Sequence, residues 1–364
     1  MKNTEYSAVL TAPHKIELQE FDIPAISPND GLLKLELTGV CGTDAKFYLG
    51  KRRTDIFPMI LGHEILGRVN EIGDVARERF KVKKGDRVVV DSMIPCSACP
   101  QCINGNYKFC QLGLSYGTRI STNVPPSLWG SYGQYMYLHP NSILYKISED
   151  IPAEAAILAN AAISNGIQWV RFIGGAKVGD VVVIQGSGSQ GLSAVIAAKE
   201  SGASEIIVTG LGRDEERLKL AGDFGATVTV NIEKEDAVKL VRELTGGKMA
   251  DLVVDVTGSP RGVAASVDLV KKQGTLVCAG LSGSTTETPL LMDKIVLNEI
   301  TLKGVFTSNF EAISAAIKLI ETRKYPIERM VTHKFPLKEA DKAVRAIAGE
   351  IPGLYPIKAV IQPG

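Results

Sequence analysis

The sequence lacks any long apolar run. No stretch approaches the roughly 18 uninterrupted apolar residues that a membrane-spanning helix requires. The first twenty residues also lack the apolar core of a secretory signal peptide. From these absences we expect a cytoplasmic protein that makes no contact with a membrane.

An excess of charge of one sign is also lacking. The 41 Lys and Arg residues nearly balance the 40 Asp and Glu residues, which leaves a net charge of +1. No global field therefore attracts nucleic acid or anionic lipid, and we expect neither as a partner. Aromatic residues are few (6%), whereas the 364 residues include 36 glycines. This composition is typical of a turn-rich α/β enzyme of about two domains.

The pattern of apolar runs changes twice along the chain. Up to about residue 150, short strand-like runs are separated by Gly, Pro and Asp. Between about 150 and 299, β-rich runs such as VVVIQG and EIIVTG alternate with helical patterns, as in βαβ units with a parallel sheet. Short strands then return. We predict a β-rich domain at 1–155 and 300–364 that is interrupted by a doubly wound Rossmann domain at 156–299.

Four of the six cysteines lie within fifteen residues: Cys96, Cys99, Cys102 and Cys110. Thiolates at this spacing can close a tetrahedron around one Zn²⁺. Disulfides are the first alternative, but they are rare in the cytosol. An iron–sulfur cluster is the second, although the spacing does not match that of bacterial or plant ferredoxins. We predict a structural zinc, which fills all its positions with protein and does no chemistry.

A glycine fingerprint follows the run VVVIQ and precedes a helical pattern: Gly186, Gly188 and Gly191. In this context GxGxxG predicts a dinucleotide site, with the pyrophosphate at the helix N-terminus. The alternative is an ordinary glycine-rich turn. The next strand ends at Gly210 and not at the acidic residue usual for NAD, and Arg213 follows in the same loop. We therefore predict NAD(P) as cofactor, with NADP preferred.

Two further motifs are Gly39-Val40-Cys41-Gly42-Thr43-Asp44 and Leu61-Gly62-His63-Glu64. Together with the cysteine loop and the glycine fingerprint, they make the chain similar to the zinc-dependent alcohol dehydrogenases of the medium-chain dehydrogenase/reductase superfamily. The resemblance runs in order over nearly the whole chain. It implies a GroES-like catalytic domain, a catalytic zinc in addition to the structural one, and hydride transfer between a secondary alcohol and a nicotinamide.

The resemblance also implies roles for single residues. Cys41 and His63 match two ligands of the catalytic zinc, and Glu64 matches a carboxylate that can join them. Thr43 matches the hydroxyl that passes the alcohol proton onward. Lys46 stands where many relatives carry a histidine at the outer end of that proton relay, which is a departure from the pattern.

A larger departure concerns the third zinc ligand. Relatives place Cys, Asp or Glu on the helix before the nucleotide-binding strand, and the corresponding residue here is Ala161, next to Asn160. A catalytic zinc normally has three protein ligands and water. The resemblance further matches Lys358, in the last strand, to a basic residue that contacts the cofactor phosphates.

The resemblance implies a substrate pocket lined by aromatic side chains: Phe47, Tyr48, Trp129 and Tyr132. Core packing is the alternative for each of them. An aromatic pocket favours a moderately apolar secondary alcohol, such as a cyclic one, over a sugar, and a polyol stays open as an alternative. The resemblance also implies a homodimer or homotetramer formed through the segment around 275–305.

Two other functions remain open at this point. The first is a zinc-free reductase of enones or quinones from the same superfamily, which has no need of the Cys41–His63 pair. The second is a catalytically silent nucleotide-binding protein that lost activity with its third ligand. The number of zinc ions per chain separates these alternatives from an alcohol dehydrogenase.

Overall fold

The computed structural model describes residues 4–52, 55–282 and 287–364. Its contacts divide the chain into two compact units. The first unit comprises residues 1–160 and 317–364, and the second comprises residues 161–316. The first unit is therefore discontinuous in sequence, and each unit has a hydrophobic core of its own.

The N-terminal part of the first unit is rich in short strands. The strands are β1 (Thr4–Ala12), β2 (Lys15–Asp22), β3 (Gly31–Val40), β4 (Met59–Ile60), β5 (Glu64–Ile72), β6 (Arg87–Val90), β7 (Met93–Ile94), β8 (Leu114–Ser115), β9 (Tyr135–Leu138) and β10 (Leu144–Lys146). The helices are α1 (Gly42–Tyr48), α2 (Asp74–Phe80), α3 (Pro100–Ile103) and α4 (Ala153–Ala156), with a 3₁₀ turn at Tyr107–Phe109.

The second unit is a six-stranded parallel sheet with helical connections. Its strands are β11 (Val181–Gln185), β12 (Glu205–Gly210), β13 (Val228–Asn231), β14 (Ala250–Asp255), β15 (Val270–Cys278) and β16 (Thr301–Gly304). Its helices are α5 (Ser164–Gly166), α6 (Ser189–Glu200), α7 (Glu215–Asp223), α8 (Ala237–Leu244), α9 (Pro260–Leu269) and α10 (Met292–Leu297), and α11 (Phe310–Glu321) crosses the boundary to the first unit. π-Helical segments, Ala159–Ile163 and Ile167–Ile173, flank α5.

The strand order β13-β12-β11-β14-β15-β16 is the doubly wound order of dinucleotide-binding folds. The central strands are fully buried, for example at Val183, Ile207 and Val253, because helices cover both faces of such a sheet. The predicted parallel sheet and Rossmann fold are confirmed.

The second predicted domain boundary, at 299/300, differs from the observed one. β16 pairs with β15 from Thr275↔Thr301 to Cys278↔Gly304, so a boundary at 300 would cut an edge strand off its sheet. The contacts place this boundary at 316/317 and the first one at 160/161, compared with the predicted 155/156. The short strand at 301–304 has too weak a pattern for the sequence to place it in the parallel sheet.

The C-terminal part of the chain completes the first unit. It contains β17 (Val331–Pro336), α12 (Ala340–Ala348) and β18 (Lys358–Gln362), with 3₁₀ turns at Ile327–Met330 and Leu337–Glu339. The main sheet has the order β10-β6-β5-β3-β18-β17, and β9 also pairs with β3. Because β3 lies between β5 and β18, the ends of three strands that are distant in sequence meet at one place.

Candidate metal centres and nucleotide site

The first candidate centre forms where β3, β5 and β18 meet. Cys41 follows β3 and caps the N-terminus of α1, His63 precedes β5, and Glu64 is the first residue of β5. One donor atom from each lies within 4.8 Å of the others. The strand register brings this about, because Gly39 lies opposite Glu64 and Val40 lies opposite Ala359.

Gly39 is required for this arrangement. A Cβ atom at position 39 would overlap the carboxylate of Glu64. The space that the glycine leaves therefore holds the Glu64 side chain, which is fully buried. Sequence reasoning missed this role, because the contact depends on the register of two strands.

Asp44 supports both the thiol and the imidazole. The backbone N–H of Cys41 donates a hydrogen bond to Asp44 Oδ2 at 2.8 Å, and His63 Nδ1 lies 3.4 Å from Asp44 Oδ1. Burial lowers the pKa of His63, but Asp44 and Cys41 outweigh it, and the pKa lies well above the usual value. Burial raises the pKa of the Cys41 thiol, but His63 outweighs it, and the pKa lies below the usual value. The pair is thus biased toward a thiolate and an imidazolium.

Glu64 and Lys358 form a buried ion pair. Both are almost completely excluded from solvent, at 0% and 2% exposure. Burial lowers the pKa of Lys358, but Glu64 and Cys41 more than compensate and raise it. The ammonium of Lys358 is therefore directed at Glu64. The predicted contact of Lys358 with cofactor phosphates stays a prediction, and the burial of the side chain does not support it.

The cluster fits a zinc ion. A thiolate, an imidazole and a carboxylate are all zinc ligands, and three of them leave the open position that a catalytic zinc needs. Asp44 Oδ1 and His63 Nδ1 have no hydrogen-bond partner among the described residues, apart from their mutual ion-pair contact. A carboxylate behind a ligand histidine is the usual support for such a ligand.

The residue at the expected third-ligand position has an unusual backbone. Ala161 has φ +61, within the π-helical segment, and its carbonyl accepts a hydrogen bond from Asn165 Nδ2 at 3.1 Å. A positive φ is uncommon for a residue other than glycine, and π-helical turns are frequent at functional sites. The methyl side chain has no donor atom for a metal, so Ala161 contributes no ligand.

The second candidate centre is the four-cysteine loop. The sulfur atoms of four cysteines all lie within 4.8 Å of one another: Cys96, Cys99, Cys102 and Cys110. None of the four forms a disulfide. Backbone N–H groups of the loop point at the sulfurs: Cys99 N donates to Cys96 Sγ at 3.2 Å, and Cys96 N donates to Cys110 Sγ at 3.3 Å. Such hydrogen bonds favour thiolates, and the four sulfurs fit a closed tetrahedral zinc site.

A buried hydrogen bond connects this loop to the strands beneath it. The Tyr107 hydroxyl donates to Asp91 Oδ2 at 2.7 Å, and Asp91 Oδ1 accepts from the backbone N–H of Met93 at 3.0 Å. Burial raises the pKa of Asp91 to about 6. The loop is therefore held both by its own sulfurs and by this contact.

The three glycines of the fingerprint occupy positions with different structural requirements. Gly186 has φ +106, a backbone conformation that is unfavourable for residues other than glycine. A Cβ atom at Gly191 would overlap the carbonyl oxygen of Gly186, so α6 can pack on the turn only with glycine there. Nothing in the described part of the chain lies within 4 Å of a Cβ atom built on Gly188, which caps α6. The helix N-terminus is therefore open to a phosphate.

The loop after β12 keeps its arginine accessible. Asp214, which adjoins Arg213, faces inward: it accepts from Leu211 N at 3.0 Å and pairs with Arg217 at 2.9 Å. Arg213 is exposed and forms no ion pair with any described residue. Gly210 offers no carboxylate to a ribose hydroxyl.

The four aromatic residues predicted to line a substrate pocket belong to the core of the first unit. Phe47, Tyr48, Trp129 and Tyr132 have exposures of 1%, 4%, 6% and 0%. The ring of Tyr132 packs against Gly62, and Trp129 donates a hydrogen bond to Val124 O at 2.8 Å. Core packing, the alternative, accounts for their burial. The argument for an apolar substrate thereby loses its basis, and the lining role stays a prediction.

Comparison with known proteins identifies the class. The family described as alcohol dehydrogenase GroES-like domain matches residues 27–149, and the family described as zinc-binding dehydrogenase matches residues 191–322. The chain belongs to the zinc-dependent alcohol dehydrogenases of the medium-chain superfamily, and it is an NAD(P)-linked oxidoreductase that acts on CH–OH groups.

Individual relatives cover nearly the whole chain. The probable alcohol dehydrogenase of Mycobacterium tuberculosis is 37% identical over 98% of this chain and 97% of its own. The erythritol/L-threitol dehydrogenase of Mycolicibacterium smegmatis is 32% identical over 94% of each. A zinc-binding dehydrogenase of Sinorhizobium meliloti, solved with NADP, has a TM-score of 0.87 and 26% identity over 99% of both chains. Among the described residues, no helix is long and apolar enough to cross a membrane.

Proposed function

We propose that the protein oxidises a secondary hydroxyl group of a polyol with NADP⁺, or reduces the matching ketone. The observation that carries this proposal is the Cys41–His63–Glu64 cluster, whose three donor atoms lie within 4.8 Å of one another. The relative named for erythritol and L-threitol supports a polyol over an apolar alcohol. Because Ala161 offers no ligand, we propose Glu64 as the third protein ligand of the zinc.

When bound, zinc supplies a Lewis acid for the substrate oxygen, and NADP⁺ supplies the acceptor of the hydride, so that alcohol and NADP⁺ give ketone, NADPH and one proton. Cys41, His63 and Glu64 would hold the metal. Asp44, which lies 3.4 Å from His63 Nδ1, would fix the orientation of the neutral imidazole toward the metal. These residues leave one metal position for the substrate oxygen.

The proton released from the alcohol must be transferred to solvent. Thr43 is partly exposed in the first turn of α1, two residues after Cys41, and we propose its hydroxyl as the first carrier. Lys46 lies one turn further along the helix. Burial lowers the pKa of Lys46, which makes a lysine a better proton carrier near neutral pH.

The preference for NADP rests on the loop after β12. Gly210 replaces the acidic residue usual for NAD, and the inward Asp214 leaves Arg213 accessible to a 2′-phosphate. The NADP bound by the Sinorhizobium meliloti structure supports this proposal.

We also propose a homo-oligomer that forms through the edge of the parallel sheet. β16 is an edge strand, and unprotected edges invite pairing with another chain. Exposed apolar side chains lie nearby in sequence: Leu291, Met292, Val296, Leu297 and Leu302. Such a patch is typical of an interface. Part of the predicted 275–305 segment, residues 283–286, lies outside the described residues. We further propose a cytoplasmic location, which the absence of a disulfide among the four loop cysteines supports.

The test is to count zinc per chain and to measure activity, in the wild type and in Ala161→Cys side by side. We expect two zinc ions in the wild type and NADP⁺-dependent oxidation of erythritol or sorbitol. Ala161→Cys should bind the second zinc more tightly. One zinc with turnover of enones or quinones would instead indicate the zinc-free reductase, and one zinc with no turnover would indicate a silent nucleotide-binding protein.

A further inference from the structure

Positively charged side chains gather around the last turn of α1 and the residues that follow it. We call Lys46, Lys51, Arg52 and Arg119 the basic cluster. The chain after α1 folds back on the helix, because the backbone N–H groups of Lys51 and Arg52 both donate to the carbonyl oxygen of Lys46, at 2.9 and 3.2 Å. The Arg52 guanidinium lies over the ring of Phe47, 4.7 Å from its centroid. This cation–π contact orients Arg52.

The basic cluster interacts electrostatically with the Cys41–His63–Glu64 cluster, which we call the catalytic cluster. Burial lowers the pKa of Arg52 and Arg119 lowers it further, whereas Asp44 and Cys41 oppose this. Burial likewise lowers the pKa of Lys46, where Cys41 opposes the effect and Arg52 adds to it. Arg52 is thus repelled by the positive charge of Arg119 and attracted by the negative charge of Cys41 in the candidate zinc site.

Two cations of the basic cluster, Lys51 and Arg52, have no carboxylate within ion-pair distance in the described part of the chain. The negative groups close by are used elsewhere: Glu64 pairs with Lys358, and Asp44 contacts His63. A divalent zinc on the catalytic cluster would offset the remaining charge of Cys41. The positive charge beside the site is then in excess.

We propose that the basic cluster binds an anionic group, a phosphate or a carboxylate, carried by the alcohol substrate. The inference rests on the proposed function and narrows its substrate class to acidic polyols. Arg52 is the specificity-determining residue, because a guanidinium held by stacking can bind a phosphate or carboxylate through two parallel hydrogen bonds. Lys51, which is exposed, contributes charge.

The phosphates of the cofactor are a second source of the same chemistry. The structure offers them other partners, namely the open N-terminus of α6 at Gly188 and the exposed Arg213, both in the second unit. The basic cluster lies in the first unit, where Lys46 and Arg52 both interact electrostatically with Cys41, one of the residues proposed to hold the metal. The KM for NADP⁺ and competition by inorganic phosphate separate the two sources.

The test uses the zinc-loaded full-length protein and three compounds that share a hydroxyl array: sorbitol, sorbitol 6-phosphate and gluconate. We expect kcat/KM for at least one anionic compound to exceed that for sorbitol by about tenfold or more, as for a charge-assisted contact. Arg52→Met should bring the ratio of kcat/KM for the anionic compound to that for sorbitol close to one. Arg52→Lys should retain part of the preference. Lys84→Met, which removes a cation from an exposed turn elsewhere in the first unit, should leave the ratio unchanged.

Two further measurements keep the test decisive. If Arg52→Met does not fold, Lys51→Met, at an exposed position, should still lower the ratio by a few-fold, and inorganic phosphate should compete with sorbitol but not with NADP⁺. Oxidation of sorbitol without any preference for an anion would overturn this inference alone. An increase in the KM for NADP⁺ in Arg52→Met, with the ratio unchanged, would assign the basic cluster to the cofactor. Failure to oxidise any of the three compounds or erythritol would overturn the proposed function itself.

Discussion

The two metal clusters of this protein are built in opposite ways. The cysteine loop takes all its ligands from fifteen consecutive residues and supports their sulfurs with its own backbone N–H groups. The catalytic cluster takes its ligands from the ends of two strands and is supported by the side chains of Asp44 and Lys358. Four thiolates would fill every position of a tetrahedral zinc in the loop, whereas the three proposed ligands of the catalytic cluster would leave one position free. In our proposal the local cluster serves the fold, and the cluster assembled at long range serves the reaction.

The sharpest way to separate the two is to remove one thiolate from each. Cys41→Ser should lower kcat/KM by about 10³-fold or more, because the Lewis acid is lost, while the melting temperature changes little. Cys102→Ser should release the loop zinc and lower the melting temperature markedly, because metal binding at a structural site is coupled to folding. Metal analysis, steady-state kinetics and thermal unfolding of both variants measure the zinc content, kcat/KM and the melting temperature.

Cys278→Ser is the matched control, since Cys278 lies outside both clusters. It should keep both zinc ions. Equal effects of Cys41→Ser and Cys102→Ser on activity and melting temperature would contradict the division of roles.

The next largest effect concerns the buried ion pair. Lys358→Met leaves the Glu64 carboxylate buried without its cation, which costs about 3–5 kcal/mol of unfolding free energy. Zinc offers Glu64 another cationic partner, so the loss should be smaller in the zinc-loaded protein than after chelation. Urea unfolding with and without the catalytic zinc measures the difference, and Lys358→Arg should retain most of the stability. An equal loss in both states would show that Glu64 does not reach the metal.

Asp91 gives the loop a pH dependence of its own. Because burial raises the pKa of Asp91 to about 6, the folded state holds the proton more tightly than the unfolded state does. Its contribution to stability is complete below about pH 4 and is lost as the pH rises through 6, by up to about 3 kcal/mol. Asp91→Asn cannot ionise and should therefore lose less stability than the wild type between pH 5 and 8. Zinc content at each pH is the control, and parallel curves would contradict the assignment.

The smallest expected effect tests the fit of Glu64. Gly39→Ala places a methyl group where the Glu64 carboxylate lies, and should weaken the catalytic zinc by about 10–100-fold, as for other supporting residues. Gly42→Ala is the matched control, because nothing described lies within 4 Å of its Cβ atom. Competition with a chelator measures both affinities, and the loop zinc should be unchanged in each variant. Equal affinities in the two variants would mean that Glu64 is not a ligand.

The sequence predicts the local features of this protein well. The spacing of the cysteines, the strand–glycine–helix pattern around Gly186 and the alternation of strands and helices all depend on neighbouring residues, and the structure agrees with each. The features that depend on register could not be predicted. The room that Gly39 leaves for Glu64 and the edge strand β16 follow from pairing between strands, which one sequence does not specify.

Aromatic residues gave the least information. Phe47, Tyr48, Trp129 and Tyr132 could equally have formed a pocket wall or a core, because the same side chains dominate both. All four are buried, which core packing accounts for, and their role in lining a pocket stays a prediction. The proposed anion site depends on charge instead, and the sequence does not reveal it, because the turn beyond α1 brings Lys51 and Arg52 back to Lys46.

The pairing of Glu64 with Lys358 spans 294 residues, and this has a consequence for how the protein is made. The cysteine loop can capture its zinc as soon as residue 110 has left the ribosome. The catalytic cluster must wait until the entire second unit has been synthesised and β18 has joined β3. Until then the Glu64 carboxylate has no cation beside it. The nascent chain should therefore carry one zinc during most of its synthesis, and the second should bind only after the last strand has folded.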